Sequence, residues 1–126
     1  MEYQQDWFMR QINMFIQFIA KALFKKDAFR YEILDPDNLS QTDLLYREIY
    51  RLLAEKKICE AENLLFDKLN TGELKHLELA IDFYQTLNQL SEEELESCNF
   101  SREEVNDGLN TVLRMFGMQH LLVYKT

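Results

Sequence analysis

Residues 7–24, WFMRQINMFIQFIAKALF, decide the fold: thirteen of the eighteen are apolar and none of the other five is an acid. On a helix turning about 100° per residue, Phe8, Ile12, Phe15, Ile16, Ile19 and Leu23 share one stripe, which Met9, Phe18 and Ala22 widen. Trp7 and Met14 fall near the polar side, where Arg10, Asn13, Gln17 and Lys21 gather. The apolar arc takes in roughly half the wheel or more, wider than a helix covered on one side requires. Such a helix is expected to bury two flanks: inside its own domain, against a second copy, or on a membrane surface. A transmembrane span is not expected, because Arg10, Asn13, Gln17 and Lys21 interrupt the only candidate run.

The composition points to the same fold class. A chain of 126 residues is one ordinary domain, and its 47% apolar content suffices for a single core. Three glycines and one proline are too few for the many turns of a β fold. The expectation is an all-α bundle of about five helices. It divides into an N-terminal helix over 1–25, an irregular connection over 26–39, and a helical hairpin body over 40–126.

A net charge of −8 argues against nucleic acid as a partner, since a polyanion needs a basic footprint. The charge is unevenly spread. Residues 1–30 hold five Lys/Arg against three acids, whereas residues 31–126 hold nine against nineteen. A mildly basic first helix therefore sits beside an acidic body. Cys59 and Cys98 form no CxxC, and acids at Glu2 and Asp6 stand where a signal peptide would be basic. Two free thiols in a cytoplasmic setting are expected.

Three hydroxyls mark helix starts. Ser40 is followed three residues later by Asp43, Ser91 by Glu94, and Ser101 by Glu104. Each hydroxyl can accept from an unpaired backbone N–H while the carboxylate reaches back, the shorter Asp less well. Asn70-Thr71-Gly72-Glu73 reads as a stop and a start, and Asp35-Pro36-Asp37-Asn38 as a turn. The helices that follow are expected near 41–56, 58–69, 73–90, 92–97 and 102–116. The helix over 73–90 is apolar on two sides and should be central. The one over 102–116 has a single stripe, Val105, Leu109, Val112, Leu113 and Phe116, and should be peripheral. Phe29, Tyr31, Ile33 and Leu34 are expected to drape over the bundle, and the tail MQHLLVYKT to dock.

Few motifs carry chemistry. Glu92-Glu93-Glu94-Leu95-Glu96 points its carboxylates around a helix and reads as a solvated helix start. Asp35, Asp37 and Asp43 lack the glycine and terminal glutamate of a calcium loop. His76, His120, Cys59 and Cys98 are too scattered for a structural zinc site. His76 is expected to be exposed and inert, and Cys59 to pack as a small hydrophobe. Tyr46, Tyr50, Tyr84 and Phe83 have helical spacing and read first as core, with a pocket lining as the alternative. No catalytic constellation, metal site or cofactor is expected.

The hairpin from Leu45 to Leu69 resembles a tetratricopeptide unit, with Ala61 at the small position and Leu45, Leu52, Ile58, Leu65 and Leu69 at large apolar ones. Ile49, Lys68 and Glu73 depart from that pattern, and no second copy follows. The strings YQQDWFMRQI, EAENLLFDKL and AIDFYQTLNQLSEEELESCNFSREEVNDGL resemble a family of short, uncharacterised all-helical proteins of Gram-positive bacteria, a domain of unknown function. That resemblance implies a helical cytoplasmic protein of this size and no particular chemistry.

The leading functional expectation is a protein-interaction or scaffold module that self-associates as a homodimer through helix one, or takes an unidentified protein partner. Its interaction residues are Trp7, Phe8, Met14, Phe15, Phe18 and Phe24. Burying an extra face of about 600 Å² contributes on the order of 15 kcal/mol before association costs. The alternatives are a peripheral membrane protein anchored by the same helix, with Arg10, Lys21, Lys25 and Lys26 meeting anionic lipid, and a helical protein with a small-ligand pocket between helices one and four.

Overall fold

The computed structural model describes residues 2–25 and 30–124. Six α-helices follow in order: α1 (Glu2–Phe24), α2 (Gln41–Ala54), α3 (Ile58–Lys68), α4 (Leu74–Asn88), α5 (Glu92–Ser97) and α6 (Arg102–Met115). A 3₁₀ helix, Gln119–Tyr124, closes the chain. No strand occurs among the described residues. The all-α class is borne out, and each helix ends within two residues of its expected bounds.

Local chemistry explains those bounds. At the start of α2 the Asp43 N–H donates to Ser40 Oγ and the Ser40 N–H donates back to Asp43 Oδ2, both at 3.0 Å. Ser91 and Glu94 close the same reciprocal box on α5. Ser101 accepts from the Glu104 N–H at 3.2 Å, but its hydroxyl turns to Glu104 Oε1, so the backbone return is not made. The expectation that Asp is the weaker partner is therefore corrected: Asp43 completes its box and Glu104 does not. α6 ends at Gly117, whose φ of 73° lies where glycine alone is unstrained.

α4 is the axis of the bundle. Eleven of its fifteen residues are buried, and α1, α2 and α6 pack around it. Ile12, Phe15, Ile16, Ile19 and Ala20 carry α1 into this core. α6 turns Glu103, Asp107, Thr111 and Arg114 outward, yet its inner face makes the most extensive packing on α4 and also touches α1. Gly108 permits that approach: a Cβ there would stand 2.3 Å from the Tyr84 ring. Tyr84 in turn donates its hydroxyl to Glu62 Oε2 of α3 at 2.6 Å.

Glu62 makes the stability pH-dependent. Burial raises its carboxyl above the ordinary range, an effect that the Tyr84 hydrogen bond opposes and Glu104 reinforces. The folded chain thus holds this proton more tightly than the unfolded chain. The associated stability is present below the ordinary glutamate value and is lost as pH rises through the raised one. Glu62→Gln keeps an acceptor for Tyr84 and removes the titration. Urea midpoints measured from acidic to neutral pH should fall less steeply for the variant than for the parent chain.

The connection to α2 is partly as expected. Asn38 N–H donates to Asp35 O at 3.1 Å, closing the turn at Pro36. Tyr31 is buried and Ile33 is half-buried, but Leu34 is 79% exposed and does not drape over the core. Phe29 lies outside the described residues. The tail docks through Leu121, and the Met118 N–H donates to Leu113 O at 2.7 Å.

Candidate functional site

The site is the outer face of α1. Because Ile12, Ile16 and Ile19 face α4, the residues on the opposite side of the same turns must face out. Trp7 is 55% exposed, Met14 62% and Phe18 36%, three large apolar side chains in one row. Phe18 stacks on the Phe15 ring, centroids 6.3 Å apart and planes 20° apart. Of the six expected interaction residues, these three lie open. Phe8 and Phe24 are half-buried, and Phe15 is buried in the core.

The row forms one wall of a groove of about 570 Å³ between α1 and α6. Asn106, Asn110 and Arg114 of α6, spaced one turn apart, form the facing wall, and Leu122 of the tail borders it. Asn106 Oδ1 is a buried acceptor with no hydrogen-bond partner among the described residues. Arg10 and Lys21 of α1, and Lys25 just past its end, are exposed.

Polar side chains fix how α1 is presented. Asn88 of α4 donates its amide to Met9 O at 3.0 Å and to Asn13 Oδ1 at 2.9 Å. Its own carbonyls accept from Arg102, whose guanidinium is 2% exposed. Arg102 also donates to Leu90 O at 2.7 Å and twice to Glu92 Oε1, at 2.7 and 3.0 Å. The run does start a helix, with Glu92, Glu93 and Glu94 in the first turn of α5; Glu92 is in addition the ion-pair partner of Arg102, while Glu93, Glu94 and Glu96 remain exposed.

A second polar cluster anchors the connection. Tyr31 donates its backbone N–H to Asp82 Oδ2 and its hydroxyl to Asp43 Oδ1. Tyr46 stacks on the Tyr31 ring at 4.6 Å and abuts Tyr50 at 4.6 Å. Tyr50 donates to Asp82 and shares a 2.7 Å hydrogen bond with Thr86. Burial pushes the Tyr31 and Tyr50 hydroxyls far above their ordinary range. The Tyr31 hydrogen bond, then the Ser40 N–H, holds the Asp43 carboxyl below its own. Tyr31 and Tyr50 thus donate to carboxylates and, with the Tyr46 ring between them, tie the connection to α2 and α4.

The remaining candidates sit apart. His76 is buried, contrary to expectation: its Nδ1 accepts the Asn70 N–H at 3.0 Å and fixes the turn between α3 and α4. Cys59 is exposed and not packed; local desolvation and the carboxylates of Glu104, Glu62 and Glu60 push its thiol up, away from nucleophilic character. Among the described residues no group of three His, Cys, Asp or Glu is placed to hold a metal. A smaller hollow of about 340 Å³ lies where Tyr50, Ile58, Leu87 and Cys98 meet. Neither hollow lies between helices one and four, where the alternative reading placed a pocket; of the four aromatics, Tyr50 lines the smaller hollow, and Phe83 and Tyr84 belong to the core.

Sequence reasoning missed Arg102, Asn88 and Asn106. An Arg one residue after a helix-starting serine reads as surface, and nothing local distinguishes it. The face and its scaffold define a small all-helical domain with one open apolar row. The chain belongs to DUF6483, a family of unknown function, whose sequence pattern matches residues 2–117. No curated protein and no solved structure matches the chain. No helix among the described residues is long and apolar enough to cross a membrane.

Proposed function

We propose that this protein is an interaction module that pairs with a second copy of itself through α1. The observation that carries the reading is the row Trp7, Met14 and Phe18, open to water beside a groove on a helix whose other flank is fully engaged. Three large apolar side chains left wet in one row mark an association surface more often than a solvated one. The buried Ala61 between α2 and α3 supports a tetratricopeptide-like geometry for that hairpin. The two unpaired cysteines fit a reducing, cytoplasmic setting.

Sedimentation at micromolar concentration tests the pairing. A micromolar dimer is held by about 8 kcal/mol, and Met14→Glu with Phe18→Glu would bury four unpaired carboxylates, each costing several kcal/mol. The variant should run as a 15.2 kDa protomer with an unchanged helical spectrum. A parent chain that itself sediments as a monomer removes the reading.

Arg10 and Lys21, exposed on the same helix as Trp7, with Lys25 following it, favour a second reading, attachment to an anionic membrane surface. The acidic body opposes it. Flotation with anionic vesicles at low salt separates the two: a dimer that stays unbound supports self-association.

A further inference from the structure

The smaller hollow, about 340 Å³, lies apart from the α1 face and joins an apolar lining to two opposite charges. Leu53, Ile58, Leu87 and Leu90 supply the apolar part. The Tyr50 and Thr86 hydroxyls also line it, but they are bonded to each other at 2.7 Å. The charges are Lys56, in the turn between α2 and α3, and Glu94, in the first turn of α5. A hollow of this volume is at the lower end of small-molecule pockets, which suits a small metabolite.

Neither charge is spent on the other. The Lys56 ammonium makes no ion pair or hydrogen bond among the described residues. The Ser91 N–H occupies Glu94 Oε1 at 3.0 Å, and no cation pairs with that carboxylate among the described residues. Hydrogen bonds from Ser91, and after them the Lys56 charge, hold the Glu94 carboxyl below its ordinary range, so the two groups are neighbours. The backbone does not explain a lysine here. The Lys56 N–H donates to Leu53 O and the Lys57 N–H to Leu52 O, both at 2.9 Å, the paired bonds that end a helix in a left-handed residue. The Lys56 φ of 62° is one that glycine takes without strain. Lys25 shares that conformation past the end of α1 but lines neither hollow.

A ligand with one charge would meet a like charge in the same lining: a simple carboxylate would be opposed by Glu94, a simple amine by Lys56. A ligand that carries both charges on an apolar body meets neither objection. We propose that this hollow binds a free α-amino acid with a large apolar side chain, Lys56 pairing with its carboxylate and Glu94 with its ammonium. The side chain lies among Leu53, Ile58, Leu87 and Leu90. Both polar contacts are charge-assisted, the stronger kind. The site does not depend on pairing through α1, and a monomer and a dimer would both offer it.

An NMR titration of the full chain with leucine and phenylalanine tests the assignment, with leucinamide and N-acetyl-leucine as ligands that each lack one charge. Either missing charge should weaken binding about tenfold. Lys56→Gly suits the left-handed backbone and should keep or raise the unfolding midpoint. It should weaken leucine about tenfold and leave leucinamide unchanged. Glu94→Gln keeps an acceptor for Ser91, and should weaken leucine while sparing N-acetyl-leucine. Position is read from Cys98, which lines the hollow. In a Cys59→Ser chain, saturating leucine should slow alkylation of Cys98 by iodoacetamide. Failure of both amino acids to bind at about 10 mM, weaker than any affinity two charge-assisted contacts should give, overturns the proposal. Leucine binding that Lys56→Gly leaves intact, or that leaves Cys98 alkylation unchanged, overturns it as well.

Discussion

Arg102→Ala should lower the unfolding free energy by about 3–5 kcal/mol, a large share of the total for a domain of this size. The guanidinium is 2% exposed and spends its donors on Asn88 O, Asn88 Oδ1, Leu90 O and Glu92 Oε1. Two of those acceptors are backbone carbonyls, Asn88 O at the last residue of α4 and Leu90 O just beyond it, which no intrahelical bond satisfies. Alanine leaves them dry and unpaired, together with a carboxylate half-withdrawn from water. Lysine restores the charge but not the fork, and should recover less than half of the loss. Urea unfolding followed by helical signal gives the measurement, with a lower midpoint and an unchanged slope as the expected result. The effect should reach α1 as well, because Asn88 is positioned by Arg102 and holds Met9 O and Asn13.

Gly108→Val should destabilise the fold by about 3 kcal/mol or more, through overlap with Tyr84. Even the first added carbon, Cβ, would fall 2.3–2.4 Å from Cζ, Oη and Cε1 of that ring. The ring cannot simply turn aside, since its hydroxyl is tied to Glu62 and its edge packs on Phe83 at 5.0 Å. Alanine would be favoured by about 1 kcal/mol on helix propensity alone, so a net loss for Gly108→Ala isolates the steric term. Tyr84→Leu should relieve part of that clash, and the Gly108→Ala, Tyr84→Leu pair should lose less than the sum of the single changes. Thermal melts of the four chains decide it. A Gly108→Ala variant at least as stable as the parent would show that α4 and α6 can separate at no cost.

The helices were legible because their signals are local. Ser40, Ser91 and Ser101 announce helix starts by a hydroxyl and a carboxylate three residues apart, and Gly117 announces a stop. The central place of α4 followed from apolar residues on two sides of it, Ile81 and Tyr84 against Leu79 and Phe83. The width of the α1 stripe pointed to a second covered flank, and the open row Trp7, Met14 and Phe18 is where that width emerges. The wheel could not divide the stripe, however: Phe15 and Phe18 are both apolar, and only the position of α4 decides that one is buried and the other half out.

The polar interior was not legible. Arg102, Asn88, His76 and Asp82 are buried through partners 6 to 79 residues away in sequence, and no periodicity records such pairings. Gly108 carries no turn signal inside a helix, and its reason becomes visible only when Tyr84 is placed against it. Leu34 was misread for the opposite reason, since an apolar side chain in an irregular stretch has no face to assign it to.

The double hold on Tyr31 couples the connection to two helices through a single residue. Its backbone N–H is tied to Asp82 on α4 and its hydroxyl to Asp43 on α2, so the chain is riveted to two helices at one residue. Both ties end on carboxylates, the stronger kind of hydrogen bond. Asp43 takes the Tyr31 hydroxyl on one carboxylate oxygen and the Ser40 N–H on the other, so whatever disturbs residue 31 is felt at once by the first turn of α2.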